Sequence, residues 1–229
     1  MSDTYEEQRG HIATYFDRTA AETWERLTSD APVSRVRETV RAGRERMRKT
    51  LLSWLPRDLT GHRLLDAGCG TGALAVEAAR RGAEVVAIDL SPTLIRTAEE
   101  RLPEDLRARI SFRAGDMLDP GHGRFDHAVA MDSLIHYRTP DMIAALTRLA
   151  PRIDGAILFT VAPRTPMLSV MHAAGKLFPR SDRSPAIVPV DRRSLRRSLK
   201  ADLPERILLR QERVKSGFYI SEAQELCVR

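Results

Sequence analysis

The stretch LLDAGCGTGALAVEAARRGAEVVAIDLSP, from Leu64 to Pro92, decides the fold. Leu64–Asp66 closes an apolar run that reads as a buried strand. Gly68, Gly70 and Gly72 then alternate with Cys69 and Thr71, and Ala73–Arg81 has the spacing of an amphipathic helix. A second apolar run, AEVVAID, ends at Asp89. Strand, glycine turn, helix and strand make one βαβ unit. Glycine permits backbone angles and close ligand approach that a Cβ would block. The helix beginning near Ala73 aims its first N–H groups at whatever occupies the turn. Asp89, about 20 residues after the glycines, is placed to accept hydrogen bonds from two ribose hydroxyls. The stretch therefore predicts a site for an adenosine-containing cofactor at the carboxyl ends of parallel strands.

The alternation continues outward. Pro92–Arg101 reads as a helix, RISFRAGD as a strand, FDHAVAMDS as a strand, Pro140–Leu149 as a helix and GAILFTVA as a strand. This order predicts a parallel sheet covered by helices on both faces. Arg206–Val214 and Gly217–Val228 are two further strand patterns with KSG as their turn, expected to close the sheet as an antiparallel hairpin. Upstream, residues 3–28 read as helical, with Tyr5, Ile12, Tyr15, Phe16, Trp24 and Leu27 as apolar or aromatic points. A second helix over 33–55 carries Val33, Val36, Val40, Met47, Leu51, Leu52 and Leu55; its other face is basic from Arg35 to Lys49, and Pro56 ends it. That basic face reads first as a solvated surface, and more sharply as a dock for an acidic partner, anionic lipid or a second substrate carboxylate. Residues 163–204 are proline-rich and basic around MLSVMHAAGKLF and read as an excursion beside the sheet edge, with Arg164, Lys176, Arg180 and Arg183 as further basic points.

The bulk numbers bound the classes. At 229 residues, 42% hydrophobic and 30% charged, the chain is globular rather than disordered, and large enough for one substantial core. A net charge of +6 favours anionic partners without choosing among them. Two cysteines, Cys69 and Cys227, form no CxxC pair, which argues against a thiolate zinc site or a disulfide framework. His11, His62, His122, His127 and His172 show no ligand spacing, and no metal is assigned. The polar start MSDTYEEQRGHIATYF lacks an apolar h-region, and no run approaches the ~18 residues of a membrane span. A cytoplasmic protein is expected, with peripheral membrane contact left open.

The spelling of the turn narrows the cofactor. It is D-x-G-x-G-x-G, with Asp66 two residues before the first glycine, not the G-x-G-x-x-G of dinucleotide folds. An acid there repels a pyrophosphate and suits a cationic amino group. S-adenosylmethionine (SAM) carries an ammonium, a sulfonium and a ribose.

These residues resemble the class I SAM-dependent methyltransferases: LDAGCGTG their first motif, AIDLS the acidic second, AGDM at Ala114–Met117 the third, and FDHAVAMDSLIHY the fourth. The resemblance implies an α/β fold, a Rossmann-like, mostly parallel sheet with a C-terminal antiparallel hairpin and an N-terminal helical lid. It implies cofactor contacts from Asp66, Gly68, Gly70, Gly72, Asp89, Leu90, Asp116, Met117 and Met131. YFDRTAAETWERL at Tyr15–Leu27, MDSLIHY at Met131–Tyr137 and the terminal KSGFYISEAQELCVR further resemble the magnesium-protoporphyrin IX O-methyltransferases of (bacterio)chlorophyll synthesis. Those enzymes methylate one porphyrin propionate to the monomethyl ester, releasing S-adenosylhomocysteine (SAH). The resemblance implies magnesium only within the porphyrin and no nucleic-acid partner. It also implies delivery by the porphyrin-binding subunit of magnesium chelatase, and a cytoplasmic location, at most peripheral at the photosynthetic membrane. One domain is implied, with 1–58 as lid or arm, 61–162 as SAM core, 163–204 on the substrate side and 205–229 as the hairpin.

A propionic acid with a pKa near ~4.5 is already ionised at neutral pH, so its attack on a sulfonium methyl needs orientation more than a strong base. The family's proposed catalytic pair maps onto His136 and Tyr15. His136 serves either as a hydrogen-bond donor to the carboxylate or as a base; axial ligation of the porphyrin magnesium ranks below both, because magnesium prefers oxygen. Plainer readings stand beside these. The glycines shape a turn, Asp89 caps a helix, Asp116 is a turn acid, Cys69 is a small filler, and Tyr15 is a core aromatic or, with Phe16, part of a lid. Methylation of another small acid, phenol or amine, methylation of nucleic acid, and SAM binding without chemistry are the competing functions.

Overall fold

The computed structural model describes residues 3–19, 28, 34–164 and 187–229. The expectations for Trp24, Leu27, Val33, His172, MLSVMHAAGKLF, Lys176, Arg180 and Arg183 lie outside the described residues. Helix α1 (Asp3–Thr14) runs into one π-helical turn, Tyr15–Thr19, and α2 spans Arg35–Ser53. There follow β1 (Arg63–Ala67), α3 (Ala73–Arg80), β2 (Glu84–Asp89), α4 (Pro92–Glu100), β3 (Ile110–Ala114) and β4 (His127–Ala130). The chain continues through α5 (Thr139–Leu149), β5 (Ile157–Pro163), β6 (Pro189–Val190), α6 (Arg192–Asp202), β7 (Arg206–Ser216) and β8 (Tyr219–Val228).

The strands form one sheet in the order β3-β2-β1-β4-β5-β8-β7, with β6 beside the end of β5. From β3 through β5 every pairing is parallel; β8 joins β5 antiparallel, with Ile157 opposite Leu226, and β7 pairs antiparallel with β8. The C-terminal hairpin thus closes the sheet as its sequence pattern predicts. Strand side chains alternate between faces, and both faces are covered. Leu65, Val86, Ile88 and Phe159 meet α5 and α6 on one side, while Leu64, Val85 and Leu158 meet α2 and α3 on the other. Double burial explains why the central strands read as unbroken apolar runs.

Local chemistry sets the helix starts. The Ser91 hydroxyl accepts from Leu94 N–H at 3.2 Å, with Pro92 in the first turn of α4. Asp191 caps α6 through Ser194 N–H at 2.8 Å. Helix α3 has no side-chain cap, so its first N–H groups face the glycine turn.

One expectation changes. The described part of 163–204 is not all excursion: β6 extends the sheet beside β5, and α6 buries Leu195 and Leu199 in the core. Two leucines four apart anchor this helix, and the basic residues around them keep it from reading as an apolar segment although its two faces are well separated.

The chain leaves β1 for β2 and β3 on one side and returns to β4 on the other. The loops at the carboxyl ends of β1 and β4 therefore diverge and open a crevice, where open α/β sheets bind their ligands.

Candidate active site

Two cavities meet at that crevice. The first, about 680 Å³, is walled by the ends of β1, β2 and β4, by the loop after β3 and by α1. The second, about 870 Å³, lies between α2 and the glycine turn. Gly68, Gly70, Met131 and Arg44 line both.

The glycine turn is folded back on β2: Gly68 and Cys69 N–H donate to the Ile88 carbonyl at 2.8 and 2.9 Å. Gly68 has a φ of +86°, and a Cβ there would stand 2.3 Å from that of Ser133, so the turn and the loop after β4 touch only because this residue is glycine. Gly70 N–H donates to Asp89 Oδ2 at 2.8 Å, and Ser91 N–H donates to Oδ1 at 3.0 Å. Asp89 is thereby aimed into the first cavity, and Ser91, not Asp89, caps α4. Burial pushes the Asp89 carboxyl pKa up.

Asp66 ends β1 beneath the turn and is 1% exposed. Ala75 N–H bonds its carboxyl group, yet Oδ2 has no hydrogen-bond partner among the described residues. Burial, and then repulsion from Asp89, pushes its pKa up to about 7. An orphaned buried carboxyl oxygen beside a cavity calls for a cation or a donor. Cys69 fits the filler reading, since burial beside two acids raises its thiol pKa far from thiolate reactivity.

Asp116 follows β3. Its Oδ1 accepts from Leu118 N–H at 2.9 Å and from the Tyr5 hydroxyl at 3.3 Å, and its Oδ2 accepts from Arg9 at 2.6 Å. Helix α1 thus sits on the acid at this end of the cleft. Leu90 and Met117 contribute apolar lining to the same cavity. His136 lies on a 3₁₀ turn, Leu134–His136, is buried, and lines the first cavity with its ring 5.8 Å from Phe16. Gly72 starts α3 behind the turn against Phe112 and lines neither cavity. Tyr15 is half-buried, sets its edge on Phe16 at 5.3 Å, and is not among the residues lining either cavity. The residue that α1 and its π-turn send toward His136 is Phe16.

The comparisons with known proteins agree with this architecture. A family model described as "Methyltransferase domain" matches residues 64–153, and another, "Magnesium-protoporphyrin IX methyltransferase C-terminus", matches 130–228. A magnesium-protoporphyrin O-methyltransferase of Rhodobacter capsulatus is 53% identical over 226 residues, covering 98% of this chain and 99% of the relative.

The chain belongs to the magnesium-protoporphyrin O-methyltransferase family.

Its Synechocystis relative is 32% identical over 73% of this chain and 74% of that protein. The crystal structure of magnesium protoporphyrin IX methyltransferase from Synechocystis PCC 6803 with bound SAH is 27% identical and covers 96% of this chain and 99% of that one, with a TM-score of 0.84. The fold is the class I methyltransferase fold expected from the motifs.

Within this family member the structure gives cleft positions to residues that the sequence marks only as apolar points or lid, and adds Arg9 to them. Tyr5, Arg9, Ile12 and Phe16 recur at helical spacing and form the face of α1 and its π-turn that covers the first cavity and Asp116. Tyr5 stacks on Tyr137 with ring centroids 4.9 Å apart. Burial raises the pKa of both phenols, that of Tyr137 to about 12, so both stay neutral. Asp17 accepts from the Ser91 hydroxyl and from Thr93 N–H, both at 3.2 Å, tying the π-turn to α4. On the basic face of α2, Arg41, Arg44 and Arg48 line the second cavity, Arg48 pairing with Glu45 and Glu77. That part of the face is cavity wall, which corrects its reading as a solvated surface.

Proposed function

We propose that this chain transfers a methyl group from SAM to a propionate carboxylate of magnesium-protoporphyrin IX, giving the monomethyl ester. One observation carries the reading: the buried Asp66 oxygen, unpartnered among the described residues, and the Asp89 carboxylate flank the turn shared by the two cavities, in a chain 53% identical along its length to a magnesium-protoporphyrin O-methyltransferase.

The residues fit the cofactor group by group. Asp66 suits the ammonium, Asp89 the ribose hydroxyls, and Leu90, Met117 and Asp116 the adenine, whose amino group Asp116 accepts beside Arg9 and Tyr5 because a carboxylate offers about four lone-pair sites. Bound there, SAM supplies an electrophilic methyl and leaves as SAH. The chain's own work is placement. Met131 and Ser133 wall the junction of turn and cleft, Tyr5, Ile12 and Phe16 exclude water from above, and His136 faces the reacting region. With a carboxylate already ionised, His136 acts first as an orienting donor, and as a base when the acid arrives protonated. Tyr15 reaches the reacting centre only through movement of the π-turn, so we assign it to the lid as partner of Phe16, with a catalytic part second. Magnesium belongs to the porphyrin alone.

The same proposal includes the porphyrin-binding subunit of magnesium chelatase as donor of substrate, and a peripheral seat at the photosynthetic membrane from the cytoplasmic side. Its support is the exposed basic surface of α2 and α6; among the described residues no helix is long and apolar enough to cross a membrane. Incubation with SAM and magnesium-protoporphyrin IX, followed by mass analysis, tests the activity. One added methyl on the porphyrin supports it, and SAM left intact refutes it.

A further inference from the structure

We propose that Arg44 grips the substrate carboxylate and sets the direction of its attack, with Asp132 holding the guanidinium in place. The inference rests on the methyl-transfer reading and adds a residue that the sequence motifs do not mark. Three acids, Asp89, Asp116 and Asp132, line the first cavity, and Arg44 is the one arginine or lysine among the described residues that does so. A carboxylate entering a space walled by three acids needs a cation. Arg44 also walls the second cavity, so it stands at the junction between the end holding Asp66 and the end holding His136.

Its side chain is built in. Arg44 Nη1 donates to Asp132 Oδ2 at 2.6 Å, with side chains 20% and 6% exposed. The Asp132 carboxylate also accepts from the Tyr219 hydroxyl at 3.0 and 3.1 Å, the Thr160 hydroxyl at 3.2 Å and the Ser221 hydroxyl at 3.4 Å. Donors from α2, β5 and β8 therefore converge on one carboxylate. Asp132 has a φ of +55°, the one positive φ at a non-glycine among the described residues. Such a backbone costs on the order of 1–3 kcal/mol and persists where its surroundings over-determine it, most often at functional sites. Close packing supports the same junction: a Cβ on Gly43 would meet the Tyr219 ring at 2.5 Å. A guanidinium is a planar fork of five donors, so fixing one nitrogen fixes the direction of the rest.

The pairing suits the chemistry. A carboxylate oxygen forms the new O–CH₃ bond as the CH₃–S⁺ bond breaks; the bonding pair stays on sulfur and no proton moves. Both charges fade in the transition state, so an unshared guanidinium would stabilise the ground state more. Sharing Arg44 with Asp132 keeps the hydrogen bond directional while reducing that drag.

The test compares affinities, read by tryptophan quenching in the presence of SAH, for magnesium-protoporphyrin IX and for its dimethyl ester, which keeps the macrocycle but has no carboxylate. In the wild type the free acid binds more tightly. Arg44→Gln cuts that preference at least about tenfold, the size of a lost charge-assisted hydrogen bond, and Arg44→Lys restores part of it. SAH affinity by calorimetry changes less than about threefold, against the tenfold scale of such a bond. Each preference is a ratio within one variant, so a reduced folded fraction cancels. An unchanged preference in Arg44→Gln overturns the proposal. So does a preference kept while SAH affinity falls tenfold, which would place the cofactor's carboxylate on Arg44. Failure of the underlying reading shows separately, as a wild type that yields no monomethyl ester.

Discussion

Asp66 is expected to make cofactor affinity depend on pH near neutrality, because its carboxyl titrates well above the range of an ordinary carboxylate. Its pKa of about 7 in the folded protein lies above the ordinary 3.8 because the side chain is buried beside Asp89. The raised value stabilises the folded protein relative to the unfolded chain below pH 3.8, and that contribution disappears as pH rises through 7. At about 1.36 kcal/mol per pKa unit, holding the bare carboxylate costs roughly 4 kcal/mol. An ammonium beside Oδ2 reverses the balance, so binding expels a proton. If the bound carboxyl titrates well below pH 6, SAH affinity falls about fivefold from pH 7 to pH 6, and tends to tenfold per unit below that. The cofactor's own α-amino group, near 7.7–8.0, stays charged throughout. Calorimetry of SAH in buffers of different ionisation enthalpy reads both the affinity and the released proton. Asp66→Asn flattens the profile, abolishes the release and weakens binding at pH 7, while the unliganded variant gains stability above pH 7 in thermal melts. Asp89, whose pKa is also raised by burial, remains in the variant, so any residual slope belongs to it. A wild-type affinity that is flat between pH 6 and 7, or a slope that is undiminished in Asp66→Asn, refutes the assignment of Asp66 to the ammonium.

Four further outcomes are expected. Gly68→Ala forces a left-handed alanine whose Cβ meets Ser133, and loses about 2–4 kcal/mol in chemical denaturation along with most SAH affinity. Tyr219→Phe removes the phenol donor from the Asp132 carboxylate, which lowers stability by about 1.5–3 kcal/mol in urea titration. Ser91→Ala removes the α4 cap and costs about 0.5–2 kcal/mol, with a smaller loss of cofactor affinity because Asp89 keeps its bond from the residue-91 N–H. His136→Phe keeps SAH affinity within about twofold and cuts turnover by about 10²–10³, the scale of one lost orienting hydrogen-bond donor; equal turnover would remove His136 from the mechanism.

Much of the frame was legible because its signals are local. Each βαβ unit declares itself by apolar runs set against helical spacing, and the glycine turn and Asp89 lie within one unit. Their mutual geometry follows from the strand–turn–helix path itself. Boundaries shifted by a few residues, as at α2, read over 33–55 and found at Arg35–Ser53. Helix α6 escapes sequence reading because its two leucines stand in a segment rich in arginine and lysine, so no apolar run marks it even though their spacing places them on one face. Tyr15 stood out as an aromatic in a familiar run, but the π-helical turn gives the inward direction to Phe16.

The sequence alone determined the parallel core, the closing hairpin, the place of the glycine turn and the acids beside it, since each of these is fixed by residues close together along the chain. Tertiary structure decided the junction. Arg44, Asp132, Thr160, Tyr219 and Ser221 come from four separated parts of the chain, and none carries a motif that pairs it with the others. Packing α2 and the hairpin onto the carboxyl end of β4 brings those polar groups out of water together. Once buried there, each has to find a partner among the others, and no reading of one segment at a time contains that requirement.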